Sequence, residues 1–386
     1  MKILIASDLH WPTINGVATF SRNLAQGLAA RGHEVLVIAP SQIGKRYNEQ
    51  DGDYEIRRTA SVPFPFYQNF RISITPQKEV KKIINDFGPD IIHIQMLMWI
   101  GQAAMRYGNK YGVPIVSTNH AMPENLMDNM RLLAPVARPI SYMLKEYGAR
   151  FHSKADFVTM PTQSAIDLFS TSDRMSVPLE AVSNGIDLSR FKPTKAPSAI
   201  YEKFDLPKNK KIVGYVGRLD AEKHLNILVE AFNQLHDQQS HLLIVGDGTE
   251  IERLRNLSEI LGISDRVTLT GRVSDEDLVS LHKVPDVFCM PSPAELQSIA
   301  TLESMASGKP VVAVDAGALS ELCQDERNGF LCEKDDIERI ARSVDRLLSD
   351  DDMRQKFAAE SLVIAKTHNL DETLDRFTKI YESLLA

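Results

Sequence analysis

Residues 291–310 read PSPAELQSIATLESMASGKP, and the next four, Val311, Val312, Ala313 and Val314, are apolar. The opening residues form a loop that carries Glu295. A short helix is predicted from about Gln297, with Glu303 two turns on, and Gly308 and Pro310 end it before the apolar run begins. Backbone N–H groups around Ser298, Ile299 and Ala300 lack intrahelical acceptors, and with the helix dipole they make a place where a phosphate is stabilised. Carboxylates so near an anion site are suited to accept hydrogen bonds from hydroxyls, which a sugar offers in number.

Moving outward, Val287 to Met290 is the strand that delivers this stretch. An earlier strand, Lys211 to Arg218 (KIVGYVGR), runs into Leu219-Asp220-Ala221-Glu222-Lys223 and a helix from about Leu225 to His236. Arg218 and Lys223 therefore sit at a strand-to-helix turn. Two cations there oppose the helix dipole by up to ~1 kcal/mol, which asks for an anion between them, and a nucleotide diphosphate would supply it. Leu242 to Val245 is a strand ending in Gly246-Asp247-Gly248, a turn that lets backbone approach a ligand. Val267 to Leu269 leads to Gly271-Arg272-Val273, and a helix is predicted from about Asp335 to Leu348, followed by two more.

The N-terminal half opens the same way. KILIAS from Lys2 is a buried strand, a loop runs through Pro12, Asn15 and Gly16, a helix covers about Ala18 to Arg31, and Val35 to Ala39 is the next strand. This strand, loop, helix, strand order builds parallel sheets that bind ligands at strand carboxyl ends. Further strands are predicted at Tyr54 to Arg58, Asp90 to Gln95, Pro114 to Thr118, Asp156 to Met160 and Glu180 to Ser183. His120 stands just beyond one of them. Ile140, Met143, Leu144, Tyr147 and Phe151 share one face of a helix and are predicted to pack in a core. Asp51 and Asp53 are predicted as solvated charge in a polar loop, and Thr194 to Asn209 as a polar interdomain linker.

With 386 residues and 43% apolar content, the chain has room for two full cores. Cys289, Cys323 and Cys332 lack metal-ligand spacing and read as buried reduced thiols of a cytoplasmic protein. Only ILIAS separates Lys2 from Asp8, so no signal peptide is predicted. The apolar run Met96 to Met105 falls short of the ~20 residues that cross a bilayer. The first 185 residues carry 19 Lys and Arg against 16 Asp and Glu, whereas the remainder carries 25 against 35. The basic half also holds Phe64, Phe66, Tyr67 and Phe70 among Arg57, Arg58 and Arg71, a combination suited to an anionic lipid headgroup surface.

The pair Glu295 and Glu303, with Gly217-Arg218 and Lys223 upstream, resembles the Glu-x7-Glu element and cation pair of retaining GT4 glycosyltransferases. The Met122-Pro123-Glu124-Asn125-Leu126 and Glu295-Leu296-Gln297-Ser298 variants resemble bacterial glycolipid-forming glucosyl- and mannosyltransferases. The resemblance implies an α/β GT-B fold, two facing Rossmann-like domains with a nucleotide-sugar crevice between them. Residues 1–190 would bind the acceptor, with the C-terminal helix 370–386 packing back on them, and 191–369 the donor. It also implies roles: Glu295 at the donor sugar, Glu303 at the ribose, and the N–H groups of Ser298, Ile299 and Ala300 at the diphosphate. Arg218 and Lys223 would stabilise the departing diphosphate, and Arg272 and Val273, with Gly246 nearby, would lie by the nucleotide. Gly16 would line the phosphate and acceptor loop, and His120 would orient beside the sugar.

The implied reaction is retaining transfer of a hexose from a nucleotide-diphosphate sugar, UDP-glucose or GDP-mannose in type, with no obligatory cofactor or metal. The implied acceptor is a membrane lipid such as diacylglycerol or a glycolipid, met by a peripheral protein at the inner face of the membrane; no nucleic-acid partner is implied. A soluble sugar or polysaccharide acceptor and a nucleotide-sugar epimerase are the alternatives. A non-catalytic binding protein would not need both cations and both Glu residues, and a pyridoxal-dependent phosphorylase would need a Schiff-base lysine motif that is not found.

Overall fold

The apolar runs at 3–6, 35–39, 212–216, 242–245, 287–290 and 311–314 become buried strands in the structure, a computed structural model that describes residues 1–13, 15–64, 70–120, 137–169 and 176–386. The described residues up to Asn184, with Asp371–Ala386, form one unit, and Gly185–Leu370 form a second.

The first unit is built on β1 (Lys2–Ala6), β2 (Glu34–Pro40), β3 (Tyr47–Asp51), β4 (Tyr54–Thr59), β5 (Ser61–Pro63), β6 (Arg71–Ser73), β7 (Ile91–Ile94), β8 (Ile115–Thr118), β9 (Phe157–Met160) and β10 (Leu179–Ala181). Its main sheet has the order β10-β9-β8-β7-β1-β2-β4-β3, and β5 pairs with β6 apart from it. Pairing in the main sheet is parallel except where β3 runs antiparallel to β4. Ile3, Leu4, Ile5 and Ala6 on β1 are fully buried, as a central strand with helices on both faces requires.

The second unit carries β11 (Ile212–Val216), β12 (His241–Val245), β13 (Val267–Leu269), β14 (Val287–Met290), β15 (Val311–Val314) and β16 (Gly329–Cys332), all parallel, in the order β13-β12-β11-β14-β15-β16. Both units are therefore Rossmann-like. Strand order reverses between β11 and β14 in the second unit, where ligands bind in such sheets, and at β1 and β7 in the first.

The boundary falls at Gly185 rather than at 190 because the chain is already tied into the second unit there. The Ile186 N–H donates to the His368 carbonyl at 2.7 Å, and the Ile186 carbonyl accepts from Leu370 N at 3.0 Å. The helix Leu370–Leu385 packs within the first unit: Leu374 abuts Gly27, and Thr373 Oγ1 donates to the Ser183 carbonyl.

Four predictions need correction. The linker holds the helix Ser198–Lys203, whose Ile200 is buried with Leu206 in the second core, while Lys203 pairs with Asp277 at 2.7 Å; only its outward side chains made it read as linker. On the helix Ala137–His152, Met143 and Tyr147 are 61% and 43% exposed, and the inward positions are Gly148, Ala149, Phe151 and His152. Asp51 is not solvated charge: it ends β3, pairs with Arg22 at 2.8 Å and accepts from the Tyr54 hydroxyl at 2.7 Å.

The aromatic and basic cluster is largely structural as well. Phe70 is buried against Phe64 and Trp99, Arg58 is buried against Glu49 and the Pro40 carbonyl, Arg57 pairs with Glu55, and Arg71 donates to Ser61. Phe66, Tyr67 and the stretch Met122 to Leu126 lie outside the described residues. Cys289, Cys323 and Cys332 are free and buried. Among the described residues, no helix is long and apolar enough to cross a membrane.

Candidate active site

At the carboxyl end of β11 the chain turns through Gly217 and Arg218 toward a short 3-10 turn at Ala221–Lys223. The Tyr215 hydroxyl donates to the Arg218 carbonyl at 2.9 Å, and Leu219 N donates to the Asp247 carbonyl, so this turn is bound to the end of β12. Gly246 completes the arrangement. Its φ is +136°, and a Cβ there would lie 1.9 Å from the Gly217 carbonyl oxygen, so the close approach that demands glycine is to the neighbouring turn. Gly246 also bridges to Gly271, which brings the start of the Arg272-Val273 segment alongside; Arg272 is exposed and Val273 packs partly on the core.

The Arg218 guanidinium is held by two carboxylates of its own turn, Asp220 through Nη1 and Glu222 through Nη2. Asp220 is itself fixed by the Thr249 N–H and hydroxyl, both at 3.2 Å, and the Glu222 side chain is wholly buried. Lys223 Nζ donates to Glu295 Oε1 at 2.7 Å, with each side chain 12% exposed. Both cations are thus paired within the protein, and an anion that draws on them competes with Asp220, Glu222 and Glu295.

Glu295 is positioned from its backbone. Its carbonyl accepts from Ala318 N at 2.9 Å, and Gly317, at φ +56°, has no room for a Cβ beside that carbonyl. The helix beyond it starts at Ile299, two residues after Gln297, because Ser298 caps it: Ser298 Oγ accepts from Thr301 N at 3.3 Å and from Thr301 Oγ1 at 2.8 Å. Among the described residues, the N–H groups of Ser298, Ile299 and Ala300 have no acceptor, which leaves them open to an anion. On the same helix Glu303 is 8% exposed, and its Oε2 lies 3.0 Å from His282 Nε2, off the direction of a hydrogen bond. His282 is fully buried and reaches Ser304 Oγ at 2.8 Å with its other nitrogen.

In the first unit Gly16 is the first residue of the helix Gly16–Ala30, and Asn15 caps it by accepting from Ala18 N at 2.8 Å. His120 follows β8; its Nε2 reaches Gln95 Oε1 at 2.9 Å and its ring lies 5.0 Å from Phe20. Burial, and then the neighbouring His152, push its pKa down to about 3, so it is a neutral imidazole at physiological pH and a weak base.

The structure thus brings Arg218, Lys223, Gly246, Glu295, Ser298 to Ala300 and Glu303 to the carboxyl side of one sheet around its reversal, while Gly16 and His120 belong to the other unit. The reading from sequence missed Asp220, Glu222 and His282. The first two were findable, since acids two and four residues from Arg218 are within ion-pair reach on a tight turn. Nothing in the sequence marks His282.

Comparison with known proteins bears on what this arrangement serves. A family model described as "Glycosyltransferase Family 4" matches residues 14–190, and one described as "Glycosyl transferases group 1" matches residues 198–361. The chain is similar to a GDP-mannose-dependent alpha-mannosyltransferase of Corynebacterium glutamicum, 26% identical over 100% of this chain and 90% of that protein. It is also similar to the alpha-monoglucosyldiacylglycerol synthase of Streptococcus pneumoniae, 25% identical over 98% of this chain and 85% of the other. Among solved structures, the sucrose-phosphate synthase from Thermosynechococcus elongatus has the same fold, with a TM-score of 0.83 and 21% identity over 99% of this chain and 98% of that one. With glycosyltransferase models accounting for both halves and named transferases matching nearly the full length, the chain belongs to glycosyltransferase family 4 and is a hexosyl-transferring enzyme of the GT-B fold.

Proposed function

We propose that the enzyme moves a hexose from a nucleotide-diphosphate sugar, of the UDP-glucose or GDP-mannose type, to an acceptor with retention of the anomeric configuration. The observation that carries this reading is the set of groups at the β11 and β14 ends: Arg218, Lys223, Glu295 and the open N–H groups of Ile299 and Ala300. They combine cationic and dipolar partners for a diphosphate with a carboxylate for sugar hydroxyls. As the bond from the anomeric carbon to the phosphate oxygen breaks, charge grows on the diphosphate, and Arg218, Lys223 and the helix N-terminus stabilise it there. The new bond forms from the acceptor oxygen on the same face, and its proton passes to the leaving phosphate oxygen.

We assign Glu303 to the nucleotide ribose, Gly246, Arg272 and Val273 to the nucleotide side of the donor, and Gly16 and His120 to the acceptor unit. With a pKa near 3, His120 is suited to orient a hydroxyl rather than to deprotonate it.

We assign the acceptor to the membrane lipids. The name of the pneumococcal relative supports this choice, and so does the helix Ala137–His152, where exposed Tyr142, Met143 and Tyr147 lie along the same surface as exposed Arg150, with Lys154 just beyond. The test offers radiolabelled UDP-glucose and GDP-mannose, with chelator present, to vesicles containing diacylglycerol and to soluble sugars. An organic-soluble product with the α anomer supports the reading; label on soluble sugar alone removes the lipid acceptor, and a β product removes retention.

A further inference from the structure

Resting on the donor site just described, we propose that Glu295 makes the enzyme discriminate against its own spent nucleotide, so that the donor sugar is held well and the nucleoside diphosphate left behind is held poorly.

The geometry that points to this is the charge count around the diphosphate position. Among the described residues, the three carboxylates Asp220, Glu222 and Glu295 stand against the two cations Arg218 and Lys223, and each cation is already engaged. A diphosphate that draws on the Lys223 ammonium competes with the Glu295 carboxylate 2.7 Å away. The Glu295 backbone is fixed, with its carbonyl tied to Ala318 N and packed on Gly317, so its carboxylate can move away only by giving up Lys223 through its own side-chain rotamers. At 12% exposure, neither charge of the pair is strongly screened by water.

An attached hexose changes this balance, since its hydroxyls donate to the carboxylate that gives up part of its lysine. Once the hexose has left, those donors are gone and the terminal phosphate carries additional negative charge. Glu295 then faces the diphosphate with no compensating partner, and repulsion speeds release of the nucleotide.

The experiment is calorimetric titration of UDP, GDP and their glucose and mannose conjugates into the wild-type enzyme and E295Q at low ionic strength, with the unfolding midpoint of the variant checked first. The amide can still accept from Lys223 but carries no charge. The expected result is that E295Q binds the free nucleoside diphosphate roughly fivefold more tightly, the scale of one ion pair, while the nucleotide sugar gains nothing. In a K223A background the same substitution should give less than half that gain. Unchanged or weaker diphosphate binding in E295Q, or a gain in the K223A background as large as in the wild type, overturns the proposal. A wild-type enzyme that binds neither UDP nor GDP in any form overturns the donor-site reading itself.

Discussion

Tyr381 places its hydroxyl 2.6 Å from His93 Nδ1, and His93 Nε2 lies 2.6 Å from Thr118 Oγ1, which in turn lies 2.6 Å from Thr159 Oγ1. One buried imidazole thus links the helix Leu370–Leu385 to β7, β8 and β9 in a line of hydrogen bonds. Tyr381→Phe should leave a buried ring nitrogen without its partner and cost about 1–3 kcal/mol of the first unit's stability. Urea unfolding followed by tryptophan fluorescence and circular dichroism measures this, and an unchanged midpoint would contradict the role given to the pair.

The same burial makes the fold sensitive to acid. His10, His93 and His120 are pushed down to about 3, and His152 and His241 to about 4, chiefly because burial disfavours the charged ring. As pH falls through about 6.5 the unfolded chain takes up protons at these sites and the folded one does not, so the stability they confer is full above 6.5 and drains away toward pH 4. Asp8 acts in the opposite sense. Burial raises it to about 7, although the N–H groups of Ile100 and Gly101 hold it, so its contribution is present below about 4 and lost as pH rises through 7. Five histidines outweigh one aspartate, and denaturant midpoints should drop between pH 7.5 and 5. An equal or higher midpoint at pH 5 would mean that these rings are not buried neutral.

Glu222 and Lys223 separate two contributions to catalysis. Lys223→Ala removes a charge from the leaving group and should lower turnover by well over tenfold. Glu222→Gln keeps the shape but loosens the grip on Arg218, and a misplaced guanidinium should reduce kcat by between about tenfold and a hundredfold, with a smaller change in the KM for the donor. Steady-state kinetics on both variants reads the two effects; near-normal turnover in Lys223→Ala would sink the assignment of that residue.

Much of this was legible in the sequence, for identifiable reasons. Runs such as Ile212 to Val216 and Val311 to Val314 announce parallel strands because such strands are apolar on both faces. The turn at Arg218 and the loop at Glu295 were visible because Gly and Pro punctuate them. Pairings that depend on the folded chain were not. That Lys223 meets Glu295, 72 positions away, that His282 lies beside Glu303, and that Arg58 reaches the Pro40 carbonyl are consequences of strand order rather than of local pattern. Helical spacing likewise put Met143 and Tyr147 on a face with Phe151, but small residues, Gly148 and Ala149, occupy the inward positions, and periodicity alone does not distinguish a core face from an exposed one.

That exposed face gives a prediction for membrane binding. Tyr142→Ser combined with Met143→Ser should leave the fold intact, since both side chains are largely exposed, and weaken sedimentation with phosphatidylglycerol vesicles by severalfold. Binding to neutral phosphatidylcholine vesicles should be weaker from the outset, because Arg150 and Lys154 favour an anionic surface. If the double variant sediments like the wild type, the docking face lies elsewhere.

The most direct test of the donor site is the unfolding temperature of the purified protein with UDP, GDP, ADP and their sugar conjugates, each at millimolar concentration, for the wild type and for Lys223→Ala. At about 100 times its dissociation constant a ligand adds ~2.7 kcal/mol, a shift of a few degrees. The account predicts such a shift for one nucleotide class in the wild type and its loss in Lys223→Ala. No shift with any nucleotide would contradict a donor site at the ends of β11 and β14.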